Sequence, residues 1–266
     1  MSTAWVAVIV ALVVWWFSTG AILAIVKRAD RGGRDSHLWA VLLALPVLVL
    51  GAGMFADTLH RTEPGAIYAG FFAALMIWGW IEMAFLCGII TGPNRRPTTP
   101  SVPERERFLR AFGTVAHHEL LLLACLLVMG SMAQGAANPF GFWTFAVLFG
   151  ARISAKLNLF YGVPRINTEF LPRPLAHLPS HFRTRRCNWL FPISVTALSF
   201  VTAVFLERTV TAVSVQDTIG FALLSALAGL ALLEHWLMVV PLPDAKLWRW
   251  MLPDPNGAAT RSANDD

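Results

Sequence analysis

The stretch AFGTVAHHELLLLACLLVMG, residues 111–130, sets two histidines and a glutamate in front of an unbroken apolar run from 120 to 129. A helix built from it has hydrocarbon on most sides, where a polar group without a partner is costly. His117, His118 and Glu119 therefore require partners from other parts of the chain. That requirement turns a list of apolar segments into a bundle.

The rest of the chain has the same character. Of 266 residues, 56% are hydrophobic and 14% charged, with a mean hydropathy of +0.58. A soluble domain carries about a quarter charged residues, so the reading is an all-α, polytopic membrane protein. Seven segments satisfy the length and apolarity of a spanning helix: 4–26, 38–55, 66–90, 111–132, 142–162, 192–205 and 218–240. Pro46 is expected to kink the second span, and Pro192 sits in the first turn of the sixth. The sixth is short and has room to extend both ways. The N-terminal apolar run has no basic residue before it and is too long for a signal core, so it is read as an uncleaved first helix. Residues 1–252 form one seven-helix domain with a long loop at 163–191, and 253–266 read as a disordered tail. Cys87, Cys125 and Cys187 have neither disulfide nor zinc-ligand spacing.

Orientation follows from Lys and Arg. After odd-numbered spans come Lys27, Arg28, Arg31 and Arg34; Arg95, Arg96, Arg105, Arg107 and Arg110; Arg165, Arg173, Arg183, Arg185 and Arg186; then Lys246, Arg249 and Arg261. The opposite side has Arg61 and Arg208. This bias predicts seven transmembrane helices with a periplasmic N-terminus and a cytoplasmic C-terminus. It also accounts for the net charge of +5 and a pI near 9.6 without nucleic acid as a partner. In the loop 163–191, Phe170, Leu171, Leu175, Leu178 and Phe182 alternate with Arg, His and Pro. That pattern suits a segment lying on anionic headgroups, or an ordinary solvated basic loop.

Ionisable groups inside the spans carry the functional reading. Glu82 lies in the third span, His117, His118 and Glu119 in the fourth, Arg152, Lys156 and Asn158 in the fifth, and Glu234 and His235 in the seventh. At 1.5 Å per residue, Glu82, His118, Glu119, Lys156 and Glu234 all fall roughly 9–12 Å from the cytoplasmic end. Each unpaired charge costs about 2.5–3.5 kcal/mol near the bilayer centre, so these groups must meet. Met together, they form a structural ion network, a site for a metal ion or porphyrin, or a proton or substrate path. For a metal, the candidates are His118, His235, Glu82, Glu119 and Glu234. Neighbours in HHE and EH stand about 100° apart, so one residue of each pair is expected to face a given ion. Trp78, Trp80 and Trp236 flank the layer and wall a planar pigment or anchor the interface. Phosphate-binding glycine loops, nucleophile elbows and HExxH are absent from the sequence.

The string FWTFAVLFGARISAKLNLFYGVPRINTEFLPRPLAHLPSHFR, residues 142–183, followed by CNWLFPISV, residues 187–195, resembles the PuhE family of photosynthetic complex assembly proteins of phototrophic purple bacteria. The resemblance runs over most of the chain. It implies a bacterial inner-membrane protein, cytoplasmic or intracytoplasmic, that assists assembly of reaction-centre and light-harvesting complexes. It carries no catalytic residues; Arg152, Lys156, Asn158, Asn167, Glu169 and Asn188 enter as members of the string. Membrane lipids and reaction-centre or antenna subunits are the partners it implies. The expected function is a non-enzymatic assembly factor, with the polar layer holding bacteriochlorophyll, a precursor tetrapyrrole or a client helix. The alternative is a membrane metalloenzyme acting on a pigment precursor or another lipid-soluble substrate.

Overall fold

The computed structural model describes residues 2–33, 35–99, 102–168 and 171–241. The predicted tail 253–266 lies outside the described residues, as do Arg34, Glu169, Phe170, Lys246, Trp248, Arg249, Trp250 and Arg261. The described chain is helical apart from loops and one isolated parallel bridge between Val163 and Thr184. Among the described residues eight α-helices run in order: α1 (Ser2–Asp30), α2 (Ser36–Leu43), α3 (Leu45–Thr58), α4 (Pro64–Leu86), α5 (Glu104–Met132), α6 (Phe140–Tyr161), α7 (Leu190–Thr211) and α8 (Val215–Leu237). Two short 3₁₀ turns, Arg173–Leu175 and Leu178–His181, lie in the long loop.

Six helical segments among the described residues are long and apolar enough to cross a membrane: α1, α2 with α3, α4, α5, α7 and α8. The protein is a multi-pass membrane protein, and the count corrects the seven predicted. The missing one is α6, which is 22 residues long but carries Arg152, Lys156 and Asn158, so its apolarity falls short. α6 nevertheless runs the length of the bundle. At its start Gly141 lies against Gly70 of α4, and Phe140 lies on Gly220 of α8. At its end the Phe160 carbonyl accepts a hydrogen bond from Arg107 of α5.

Local chemistry explains the boundaries. Pro46 lacks an N–H, and the second span breaks between Leu43 and Leu45 as expected. The Trp80 indole donates to the Val41 carbonyl beside that break at 3.2 Å. α5 begins at Glu104, seven residues before the predicted start at 111, because Pro103 precedes it and Glu104 and Glu106 favour its first turn. Asn188 accepts from the Leu190 and Phe191 N–H groups at 2.9 and 3.0 Å, which fixes the start of α7. α7 extends to Thr211, past its predicted end. Ser214 accepts from Asp217 N–H at 3.0 Å and opens α8.

α4 is the centre of the molecule. In its most apolar window 61% of residues are buried, against 6% in α1. Ile67 and Phe71 pack with α1, α6 and α8; Ala73, Ile77 and Ile81 pack with α3, α5 and α6. At the end distant from the polar layer, buried Asn138 ties the turns together. Its side chain donates to Thr58 and Ala66 carbonyls at 3.1 Å, and its N–H to Leu59 at 2.9 Å.

At the other end, residues 91–94 lie across α5. Asn94 donates to Gly113 and Arg110 carbonyls at 3.0 and 2.9 Å, and His118 N–H donates to Thr91 at 3.0 Å. A Cβ on Gly92 would overlap the Gly113 carbonyl and stand 2.8 and 2.9 Å from Thr114 and Ala116 backbone atoms. Gly92→Ala is therefore expected to destabilise the protein by about 1–3 kcal/mol or more. Gly150→Ala, which meets nothing within 4 Å, is expected to unfold with the parent in detergent thermal scans.

Candidate functional site

α6 is polar on two opposite faces. Arg152 and Lys156 lie one turn apart on one face, and Ser154 and Asn158 lie one turn apart about 200° around the axis. The first face meets acids, and the second meets an imidazole and amides.

On the acidic side, Arg152 donates to Glu82 of α4 at 2.7 Å. Lys156 makes a close ion pair with Glu119 of α5 and donates to His118 Nδ1 at 3.2 Å. The same Nδ1 lies 3.3 Å from Glu119 Oε1, so the imidazole, the ammonium and the carboxylate meet at one point. Nε2 faces Glu82 Oε1 at 3.6 Å, and neither atom has another hydrogen-bond partner. Shortening that gap by about 0.5 Å would make it a hydrogen bond. Phe85 closes one side: its ring lies 4.4 Å from the His118 ring and 4.9 Å from the Lys156 nitrogen. Two carboxylates and two cations are matched around an imidazole with no exposed surface.

On the other side, His235 donates from Nδ1 to the Ala231 carbonyl and accepts at Nε2 from Ser154, both at 2.8 Å. Asn158 donates to Ser194 of α7 at 2.9 Å and accepts from Asn188 at 3.1 Å. Asn188 also donates to the Gly162 carbonyl at 2.8 Å. This second network joins α6, α7, α8 and the long loop.

The predicted layer thus splits in two. Glu82, His118, Glu119, Arg152 and Lys156 come together; Asn158 and His235 belong to the opposite face of α6. His118 is the inward histidine, and His117 is exposed on the outside of α5. His118 and Glu119 both reach Lys156, contrary to the expectation that only one of them would, because they straddle the face toward α6 and Glu119 spans the difference with its longer arm. Glu234 is exposed, within electrostatic range of Arg152 and Glu82 but outside the hydrogen-bonded cluster.

Neither ligand expectation fits this packing. No group of three or more His, Cys, Asp and Glu among the described residues is arranged to hold a metal ion, and Arg152 and Lys156 already occupy the two carboxylates. A tetrapyrrole needs an accessible imidazole nitrogen as axial ligand. His118 and His235 are 0% and 1% exposed and have both nitrogens directed at protein groups. The tryptophans are packed as well: Trp78 lies edge-on to Phe145 and Trp236 edge-on to Phe191.

A cap covers the layer. Leu175 and Leu178 of the long loop bury against Phe85, with Leu171 and Phe182 beside them. These side chains dock on the bundle. Arg107, expected among solvent-side charges, is 5% exposed. It donates to the carbonyls of His181 and Phe160 at 3.2 and 3.0 Å and to Glu104 at 2.9 Å, with its guanidinium 3.5 Å over the Phe160 ring. Burial, with Arg95, Arg107 and Arg110 nearby, holds the His177 and His181 imidazoles below the ordinary histidine range. The Gly92–Gly113 approach and the single Asn138 gave no sequence signal beyond small or polar residues at helix ends.

Residues 1–259 match the family model described as "Protein of unknown function (DUF3623)". The chain belongs to the DUF3623 family. A relative from Rhodobacter capsulatus, described as an uncharacterized 30.4 kDa protein in the puhA 5' region, is 50% identical over 253 residues. The match covers 95% of this chain and 92% of that protein. No solved structure matches the chain.

The two exposures separate two glutamates of equal standing in sequence. Glu119→Gln strands Lys156 and is expected to cost about 3 kcal/mol; Glu234→Gln is expected to stay within about 0.5 kcal/mol of the parent. Reversible unfolding in mixed micelles measures both, and equal losses would contradict the assignment.

Proposed function

We propose that this DUF3623 protein is a non-enzymatic assembly factor for photosynthetic reaction-centre and light-harvesting complexes in the bacterial inner membrane. The observation that carries the reading is the puhA-region relative, 50% identical along nearly the whole chain. Its gene position agrees with the photosynthetic setting that the resemblance to the PuhE family implies. The geometry adds support of a different kind: the buried layer is a closed ion network, suited to holding a scaffold rigid. Client reaction-centre or antenna subunits would then meet the outer surface of the bundle.

In this reading α6 crosses the membrane with the other six segments, its two cations shielded by Glu82 and Glu119. Seven crossings put the N-terminus in the periplasm and the C-terminus in the cytoplasm. The basic loops then lie on the cytoplasmic side, as the Lys and Arg distribution requires.

Deleting the gene of the Rhodobacter capsulatus relative tests the function. The expected outcome is reduced near-infrared absorbance from assembled complexes while free pigment is still made, with recovery on supplying this chain. Unchanged levels of assembled complexes in the deletion strain would contradict it.

A further inference from the structure

The cap holds a second polar feature that the buried layer does not use. A cavity of about 410 Å³ opens where the start of α5, the end of α6 and the start of α7 meet, lined by Glu104, Tyr161, Arg183, Arg185, Asn188 and Trp189 among others. We propose that it binds the phosphate of an anionic glycerophospholipid.

The arginines are placed by backbone, not by chance. Val163 N–H donates to the Arg183 carbonyl at 3.1 Å, and Arg185 N–H donates to the Val163 carbonyl at 3.2 Å. This short parallel bridge keeps residues 183–185 extended, so Arg183 and Arg185 project to the same side. The stem of Arg185 lies on Gly162, whose φ is +115°; a Cβ there would stand 2.9–3.1 Å from the Arg185 side-chain carbons. Glycine thus serves both the turn and the seat of the arginine. Glu104 does not spoil the site for an anion: it is paired with Arg107 and Arg183, both at 2.9 Å. Arg185 is exposed and makes no ion pair among the described residues.

The position selects a lipid over an acidic protein partner. The cavity lies at the ends of α5, α6 and α7, where headgroups would meet the bundle if α5 and α7 cross the bilayer. Trp189 is 64% exposed on its rim, and its ring stands 5.4 Å from Tyr161, the pair of residue types enriched at membrane interfaces. On the same helices as the lining, Phe108 and Phe112 of α5 and Ile193 of α7 are exposed, and Phe108 lies edge-on to Phe160, the neighbour of Tyr161, apolar surface that acyl chains would cover. A guanidinium pair, a phenol and an indole together offer the donors a phosphate diester accepts.

Native mass spectrometry of the full-length protein, released from nanodiscs of phosphatidylglycerol or phosphatidylcholine, tests this. The parent should retain phosphatidylglycerol preferentially, and Arg185→Gln should weaken retention about fivefold, with inorganic phosphate unable to displace the lipid. Arg173→Gln, an exposed arginine outside the cavity lining, controls for general charge and should behave as the parent. Saturable displacement by millimolar inorganic phosphate, with equal retention of both lipids, would support the phosphate site but overturn its lipid source. Equal retention by parent and Arg185→Gln would overturn the proposal and leave these arginines to an acidic protein surface.

Discussion

Two cations on one helix, Arg152 and Lys156, constrain everything packed around α6. A guanidinium and an ammonium cannot be packed among apolar side chains alone, so α4 must bring Glu82 and α5 must bring His118 and Glu119 to the same level. Those requirements fix the rotation of three helices at once. The opposite face of α6 repeats the demand in neutral form, and Ser154 and Asn158 draw in His235, Ser194 and Asn188. A helix too polar to qualify as a span by itself becomes the element that registers its neighbours.

The cap follows from the same layer. Phe85 shields His118 and Lys156 from one side and then becomes the surface on which Leu175 and Leu178 bury. Arg107 joins α5, the end of α6 and the loop through two carbonyls and a ring. Carbonyls at a helix end and a cation beside them are mutually favourable, which is why an arginine near the membrane surface tolerates burial here. The result is a closed end that a tetrapyrrole or metal ion would have to dismantle to enter.

Much of this was legible in the sequence. Apolar run length gave six of the seven expected spans, Pro46 gave the break between α2 and α3, and depth counting brought Glu82, His118, Glu119 and Lys156 to one level. Depth along a helix is a matter of arithmetic; direction around it is not. That is why His117 and Glu234 were grouped with residues they do not join, and why His118 and His235 looked like a pair when α6 separates them. Hydropathy also began α5 too late, at residue 111, leaving out its charged first turns and hiding the role of Arg107. The contacts of Gly92 and Asn138 are made with backbone distant in sequence, which local patterning does not encode.

The central claim is that α4 and α6 are coupled by a buried ion pair. A double-mutant cycle of Glu82→Gln and Arg152→Gln, read by reversible unfolding in mixed micelles, measures that coupling directly. The account predicts an interaction energy above about 1 kcal/mol, with the double variant less destabilised than the sum of the singles. Additivity within about 0.3–0.5 kcal/mol would show that the two side chains do not meet, and the packing described around α6 would be wrong.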